Sequence, residues 1–473
     1  MQGTQESSVR RVVVMGASMA GLAVARVLAD HFDEVVLVER DALPTGADDR
    51  KGTPQGRHLH GLLQGGQLAF EGLFPGLTEA LIAGGGVRVD FSDELAWHHF
   101  GAWKQRFASG VAMIAMTRPF FEAEVRRRVL ALPQVRCLDD HDVLGLLSTP
   151  DRARITGVRI RPRVEGASEQ DLLGDLVVDA TGRGSATPRW IEALGYPLPA
   201  EETVDVHVGY VTRTFRRDPA APMPWKALYV IGDAPQRRIG ALFPVEGDRW
   251  ISVLAGQLRD YPPSDLPGFL GFAGSLPVDD LQRALASFEP LDDGASYKFP
   301  CNLRRRYERM SRRPEGLVAV GDALCSFNPI YGQGMTTAAF VAIELGACLR
   351  EHKGLTGLPA RFYRRAARVI DTPWQLSTFE DFRSPEVTGE RPPAYPLIAG
   401  ALARVHRATT RDREVALHFL RAMHMIEPPT TLLRPDRLAR VLLRGGAIEP
   451  APRPEPTTTS PTVAAAIDLR AEA

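Results

Sequence analysis

The sequence is poor in cysteine, has no surplus of charge and lacks a long uninterrupted apolar run. Its four cysteines form no C-x-x-C pair or Cys/His cluster with zinc spacing, so we expect reduced thiols and no metal site. The 57 basic and 57 acidic residues cancel, which leaves no global field for nucleic acid or an anionic membrane. Glycines break the first apolar run, so we expect no signal peptide and no membrane span, and predict a cytoplasmic protein.

The overall composition is that of an ordinary globular protein of two or three domains. The chain has 473 residues, of which 44% are apolar and 24% charged. No catalytic triad, carboxylate pair or metal cluster is evident in the linear sequence. That absence favours a reaction whose chemistry a bound cofactor carries.

Residues 11–40 have the pattern of a nucleotide-binding β–turn–α–β unit. An apolar strand (11–15) is followed by the turn GASMAG (16–21), a helix to about Ala29 and the strand EVVLVER (34–40). Gly16 permits the tight turn, and Gly21 permits close helix–strand packing. Ser18 replaces the usual middle glycine but is small enough for the backbone to approach a pyrophosphate at the helix N-terminus.

Glu39 narrows the choice of nucleotide. It follows Gly16 by 23 residues, where a carboxylate accepts hydrogen bonds from ribose hydroxyls. The same carboxylate would repel a 2′-phosphate, so NADP is disfavoured at this site. NAD and FAD both remain open on these residues alone.

Two later blocks distinguish between these nucleotides. DLVVDATGRGS (175–185) is a buried strand that ends in a glycine-rich turn. LVAVGDALCSFNPIYGQGM (317–335) is a strand, a Gly-Asp pair and a loop, with a helix that begins near Gly334. A second strand–GD element far from the first fingerprint is not expected of an NAD dehydrogenase.

Together with PQGRHLHGLL (54–63), these blocks resemble the p-hydroxybenzoate hydroxylase-like group of FAD-dependent monooxygenases. Within that group the sequence looks closest to the flavin-dependent epoxidases of bacterial polyether biosynthesis, and more distantly to squalene epoxidase. The resemblance spans roughly residues 11–350. It implies an α/β protein with a Rossmann-type FAD-binding domain, an interleaved antiparallel-sheet substrate domain and a helical C-terminal region.

The resemblance also implies which residues contact FAD. The expected cofactor-binding residues are Gly16, Ser18, Met19, Ala20, Gly21, Glu39, Arg40, Arg57, Arg118, Val143, Asp322, Gly332, Gly334 and Met335. The helix N-terminus at 334–335 would place its positive dipole end near the flavin and favour the charge of the reduced ring. No catalytic residue is assigned, and the flavin-facing candidates are Arg57, His58 and Pro329.

The order of strand-like and helical stretches predicts the domain bounds. Segments 1–84, 117–199 and 300–350 are assigned to the FAD-binding domain, and 85–116 with 200–299 to the substrate-binding sheet. Residues 351–448 are predicted to be helical. Residues 449–473 are rich in proline and threonine and are predicted to be a disordered tail.

The resemblance implies that O2 and reduced FAD form a C4a-hydroperoxyflavin that oxygenates a small apolar substrate. Epoxidation of alkenes in a polyketide or polyene of secondary metabolism is favoured, because that transfer needs little acid–base machinery. Two alternatives remain: hydroxylation of an aromatic or polyketide substrate, and reduction or dehydrogenation of a prenyl or polyene chain. The block DATGRGS lacks the DG pair of NAD(P)H-using relatives, which favours electrons from a separate flavin reductase.

Overall fold

A computed structural model describes residues 10–221, 223–233, 237–352 and 354–446. The predicted tail at 449–473 lies outside these residues. Across the described ranges the chain folds into four β-sheets and twelve α-helices, a mixed α/β architecture that agrees with the predicted class.

The strands are named in chain order. They are β1 (Arg11–Met15), β2 (Glu34–Val38), β3 (Leu59–Leu62), β4 (Val87–Asp90), β5 (Leu95–His99), β6 (Ala102–Trp103), β7 (Ala112–Thr117), β8 (Val135–Leu138), β9 (His141–Ser148), β10 (Ile155–Pro162), β11 (Gln170–Leu173), β12 (Leu176–Asp179), β13 (Glu201–Arg216), β14 (Ala227–Ile231), β15 (Arg238–Val245), β16 (Arg249–Gly256), β17 (Ala295–Arg305), β18 (Leu317–Ala319), β19 (Cys325–Ser326) and β20 (Thr388–Gly389).

The helices follow the same convention. They are α1 (Met19–Leu28), α2 (Gln64–Leu73), α3 (Leu77–Ala83), α4 (Arg118–Leu130), α5 (Thr187–Ala193), α6 (Leu266–Gly274), α7 (Asp280–Ala286), α8 (Gly334–Glu351), α9 (Leu358–Asp381), α10 (Tyr395–Ala408), α11 (Arg413–Met423) and α12 (Pro435–Arg444).

A five-stranded parallel sheet forms the centre of the nucleotide-binding half. Its strand order is β18-β12-β1-β2-β8, and every neighbouring pair is parallel. The apolar run of β1 is buried on both faces, as expected for a central parallel strand. The chain adds β2 and β8 on one side of β1, and β12 and β18 on the other. The sheet therefore has its topological switch point at the carboxyl end of β1, where ligands bind in such folds.

A larger, mainly antiparallel sheet forms the second half. It runs β19-β17-β13-β16-β15-β14-β5-β6, with β20 paired to β13. One face carries Trp97, Tyr210 and Phe243 and packs against Phe382 and Leu420 of the C-terminal region. The opposite face packs against α6 and α7. Two three-stranded sheets, β11-β10-β9 and β3-β7-β4, complete the set.

The local elements expected from the sequence are confirmed at β1, α1, β2, β12, β18 and α8. Segments that are neighbours in the sequence contribute strands to different sheets, which the sequence patterns do not predict. Residues 300–305 continue β17 of the large sheet, and β4 pairs with β7 beside β3 instead of joining β5. Alternation along a strand reports which face is buried, but it does not report which neighbour supplies the hydrogen bonds.

Candidate functional site

The turn after β1 is closed by two glycines that no larger residue could replace without a shift. Gly16 has φ +100°, and a Cβ atom there would lie 2.6 Å from the carbonyl oxygen of Ala180, just beyond β12. A Cβ atom at Gly21 would lie 1.9 Å from the carbonyl oxygen of Gly16. The turn, α1 and the end of β12 are thus packed backbone against backbone at the switch point.

Ser18 leaves the N-terminus of α1 without a side-chain cap. Its hydroxyl donates to Glu122 Oε2 at 3.1 Å and accepts from Arg118 Nη2 at 2.7 Å. The first-turn amides of α1, which include Met19 and Ala20, have no intrahelical acceptor. The Nε atom of Arg118 is buried and has no hydrogen-bond partner in the part of the chain that the structure describes. This donor set fits an anion such as a pyrophosphate.

Glu39 lies on the other side of the same turn. Its buried carboxylate accepts from the amide of Ala17 at 2.7 Å and pairs with Arg50 Nη2 at 2.9 Å. Arg50 also binds Glu122 of α4. Burial alone would raise the pKa of Glu122, but Arg118 and Arg50 outweigh it and hold that pKa below its usual value.

Sequence reasoning did not identify Arg50 or Glu122. Arg50 lies in the loop after β2, where no motif marks it. Glu122 follows Arg118 by four residues on α4, and that helical spacing was the one available signal. The Arg50–Glu122 ion pair joins the β2 loop to α4, and the Ser18–Glu122 hydrogen bond joins α4 to the turn.

Two of the expected residues lie at the edge of this region. Arg40 is exposed, and its carbonyl accepts from Arg163 Nη1 at 2.9 Å. Val143 is half-buried on β9, two residues after His141, whose amide donates to the carbonyl of Glu39 at 2.9 Å. Both stay predictions.

The Gly-Asp pair after β18 packs against the start of α1. Gly321 has φ +58°, and a Cβ atom there would lie 2.5 Å from Cβ of Ala20. Asp322 is exposed, yet the surrounding protein raises the pKa of its carboxyl group, while Arg118 and Arg183 act in the opposite direction. The contact of Gly321 with Ala20 brings together two segments that lie about 300 residues apart and places Asp322 beside the start of α1.

The loop before α8 follows the Gly-Asp pair along the chain. Pro329 and Gly334 are exposed, and no described atom beyond the adjoining backbone lies within 4 Å of the position that a Cβ of Gly334 would take. Gly332 has φ +66° and lies close to the carbonyl of Gly61 on β3. Met335 is buried in the first turn of α8. The first residue of α8 is therefore accessible, whereas the second packs into the core.

The GRH stretch before β3 divides between surface and interior. Arg57 is exposed and pairs with Asp49 at 3.0 Å. His58 is buried, with Nδ1 2.9 Å from Thr212 Oγ1 and its ring edge-on to Tyr210 at 4.5 Å. Burial, with a contribution from Arg57, lowers the pKa of His58 to about 4, so the imidazole is neutral. The flavin-facing roles of Arg57, His58 and Pro329 stay predictions.

An apolar cluster lies between the large sheet and the C-terminal region, and the loop before α8 packs against it. Its partly buried residues come from both sides and from the loop itself. They are Tyr229, Tyr297, Ile330, Trp374, Phe379 and Phe419.

The described residues lack two further features, a metal-binding cluster and a membrane-spanning helix. No group of three His, Cys, Asp or Glu side chains there has the arrangement of a metal site. No described helix combines the length and the apolarity that crossing a bilayer requires.

The molecule has the fold shared by FAD-dependent monooxygenases and halogenases. PqsL of Pseudomonas aeruginosa, named as a probable FAD-dependent monooxygenase, superposes with a TM-score of 0.57 at 19% identity, over 79% of this chain and 97% of its own. The myxobacterial FAD-dependent halogenase CndH superposes with a TM-score of 0.61 at 16% identity, over 88% and 97% of the two chains. The resemblance to the p-hydroxybenzoate hydroxylase-like group is thus confirmed as a fold, and the closer resemblance to the epoxidases stays a prediction.

The chain belongs to the same family as Protein Rv3254 of Mycobacterium tuberculosis (strain ATCC 25618 / H37Rv). The two are 32% identical over 431 residues, which cover 88% of this chain and 89% of that protein. Kynurenine 3-monooxygenase of Salinispora arenicola (strain CNS-205) is 27% identical over 478 residues, or 92% and 93% of the two chains. No protein-family model matches the sequence.

Proposed function

We propose that this protein is an FAD-dependent monooxygenase that epoxidises alkenes of an apolar polyketide or polyene. The observation that carries the proposal is the close packing of the Gly-Asp turn, which leads to α8, against the N-terminus of α1 at Gly321 and Ala20. The α1 turn supplies open amides and the unpartnered Nε of Arg118, and the GD turn supplies Asp322 and leads to α8. A long ligand with an anionic middle and a polar ring fits this arrangement.

Different residues of these two turns would contact different parts of FAD. The α1 amides, Ser18 and Arg118 would hold the pyrophosphate, and Glu39 would accept from the adenosine ribose. Asp322 would accept from the ribityl chain, and the α8 N-terminus at Gly334 would face the ring. Bound FAD would supply the reduction of O2 and the transfer of one oxygen atom to the substrate.

The chain's own part in that reaction is positioning and exclusion of water. The partly buried aromatic residues Tyr229, Trp374 and Phe419 would contact an apolar chain next to the α8 loop. The α8 dipole favours negative charge at its N-terminus. Burial keeps His58 neutral, so it adds no competing charge at the sheet. Oxygen transfer to an alkene needs no base, and the apolar character of this cluster agrees with that requirement.

Electrons would come from a separate flavin reductase. The turn 179–185 lies where NAD(P)H-using relatives carry a DG pair. Its polar groups bond to one another: Asp179 accepts from the amide and the hydroxyl of Thr181 and from the hydroxyl of Ser185. Its residue Arg183 donates to Cys301 Sγ at 2.8 Å. These bonds hold the turn in its own conformation, which supports a reductase partner over direct nicotinamide binding.

Hydroxylation of an aromatic substrate is the second candidate. It is favoured by the polar groups on the large sheet, where His58 bonds Thr212 and contacts Tyr210 and Tyr297. An aromatic ring that is to be hydroxylated needs such groups to orient and polarise it. The name of the kynurenine 3-monooxygenase relative agrees with this alternative.

Two measurements test the proposal in sequence. The purified protein should bind FAD and show a flavin absorption spectrum, and failure to bind FAD would exclude both candidates. The reduced holoenzyme is then mixed with candidate polyenes or phenols under 18O-labelled O2, with free FAD and the same reductant as control. One labelled oxygen added across an alkene supports epoxidation. A labelled ring hydroxyl selects the second candidate, and a saturated or desaturated product without label contradicts both.

A further inference from the structure

Asp381, the last residue of α9, is a fully buried carboxylate that joins three parts of the fold. It accepts from Asn302 Nδ2 on β17 at 2.8 Å and from Gln257 Nε2, just after β16, at 3.3 Å. From the loop before α8 it accepts from Asn328 Nδ2 and from the Tyr331 hydroxyl, each at 2.8 Å. No motif marked this residue, and the proposed oxygen transfer does not use it.

The neighbours of Asp381 are oriented to donate. The amide oxygen of Asn302 accepts from the backbone amide of Asn328 at 2.6 Å, which turns the Asn302 nitrogen toward the carboxylate. The amide oxygen of Asn328 accepts from the amide of Ile330 at 3.3 Å, which orients that side chain in the same way. Burial, and then Asp381 itself, raise the pKa of Tyr331, so the phenol keeps its proton. Protonation of Asp381 would replace a charged acceptor by a neutral one and weaken these bonds.

The charged and titratable groups that face this site are few. Arg237, just before β15, and Glu380, its neighbour on α9, contribute charge, and Tyr331 contributes a neutral hydroxyl. Burial raises the pKa of Asp381 to about 6, although its donors and Arg237 act in the opposite direction. The arrangement is therefore intact near neutral pH and begins to lose its charge under mildly acidic conditions.

The position of the α8 loop depends on these bonds. Asn328 and Tyr331 bracket the exposed Pro329, and Gly334 begins α8 three residues after Tyr331. Two of the four donors to Asp381 thus belong to the short segment that carries the helix N-terminus. The other two, Asn302 and Gln257, belong to the large sheet and fix the carboxylate in space.

We propose that Asp381 is a positioning residue that fixes residues 328–333 against the large sheet and so aims the N-terminus of α8 at the flavin. The part concerning flavin rests on the proposed function. The part concerning the loop does not, because the hydrogen bonds exist in the protein alone.

The test compares wild type with Asp381→Asn in the full-length chain. In the apoprotein, hydrogen exchange of peptides covering 328–336 should become about tenfold faster or more, since bonds to a charged acceptor are lost. The loop donors Asn328 and Tyr331 lower the pKa of the buried Asp381, so they bind its charged form more tightly. In wild type the protection of these peptides, corrected for intrinsic rates, should therefore fall as the pH drops through about 6, and in the variant it should not change with pH. The dissociation constant for FAD, measured by fluorescence titration, should rise about tenfold.

Glu386→Gln, five residues after Asp381 and exposed, is the control and should leave all three quantities unchanged. Unchanged loop exchange in a folded Asp381→Asn protein would overturn the proposal. Should that variant fail to fold, Tyr331→Phe removes one donor and leaves the charge, and a loop protected as in wild type would overturn the proposal equally. A wild-type protein that binds no FAD would refute the proposed function, whereas the apoprotein exchange would still decide the role of Asp381.

Discussion

Ser18 occupies the place of the middle glycine in the turn after β1, and its hydroxyl lies between Arg118 and Glu122. We predict that Ser18→Gly retains FAD, because it removes two hydrogen bonds and releases Arg118 for a phosphate. Ser18→Leu should weaken FAD binding about a hundredfold, or about 2.7 kcal/mol, since its side chain fills the space before the α1 amides. Fluorescence titration with FAD measures both. Normal affinity in Ser18→Leu would place this turn away from the cofactor.

Individual site residues could be predicted from the sequence where a local turn motif requires a particular residue type. Gly16, Gly21 and the acid at 39 follow from the turn chemistry of the motif, and the structure places all three at the end of β1 and β2. Arg50 and Asp381 could not be found in this way. Their partners lie far along the chain, from Asp381 back to Gln257 for example, and no local pattern encodes such a meeting.

At the scale of the element, the packing of α1 on its own turn depends on the absence of a side chain at 21. We predict that Gly21→Ala lowers the free energy of unfolding by about 1–3 kcal/mol, because its Cβ would lie 1.9 Å from the carbonyl oxygen of Gly16. Gly145→Ala on β9 is the control, since no described atom beyond its chain neighbours lies within 4 Å of a Cβ there, and it should stay within about 0.5 kcal/mol of wild type. Urea unfolding measures both. Equal stability of the two variants would show that the close contact does not form.

Helices and buried parallel strands were predictable as elements, whereas sheet membership was not. The run VVV and the glycine turn define β1 and the start of α1 within a residue, because burial and turn chemistry are local. The partners of β4 and β17 depend on which edges are free once the rest of the chain has folded. The two glycine-rich turns could therefore be anticipated from the sequence, but the aromatic cluster between the large sheet and the C-terminal region could not.

At the scale of the whole molecule, buried neutral histidines couple folding to pH. Burial is the main cause that lowers the pKa of His58 and His406 to about 4 and that of His424 to about 3, against an unfolded value near 6.5. The unfolded chain therefore binds more protons below pH 6.5. The stabilisation is complete above that pH and is lost as the pH falls toward 4. The contribution of Asp381 to the free energy of unfolding has the opposite sign. Its folded pKa of about 6 lies above the unfolded value, so the folded state binds the extra proton and this contribution increases as the pH falls through about 6.

We predict that the free energy of unfolding falls between about pH 6.5 and pH 4, with each of these histidines contributing about 1.4 kcal/mol per pH unit. His424 isolates the effect: its Nδ1 accepts from the amide of Gln64 at 3.2 Å, and its buried Nε2 has no partner among the described residues. His424→Gln keeps an acceptor but cannot take the proton, so the slope should decrease by about one proton. His352→Gln, at an exposed position, should leave the slope unchanged. Urea unfolding at about pH 7, 6 and 5 measures these slopes, and an identical slope in His424→Gln and wild type would show that His424 is not buried in the neutral form.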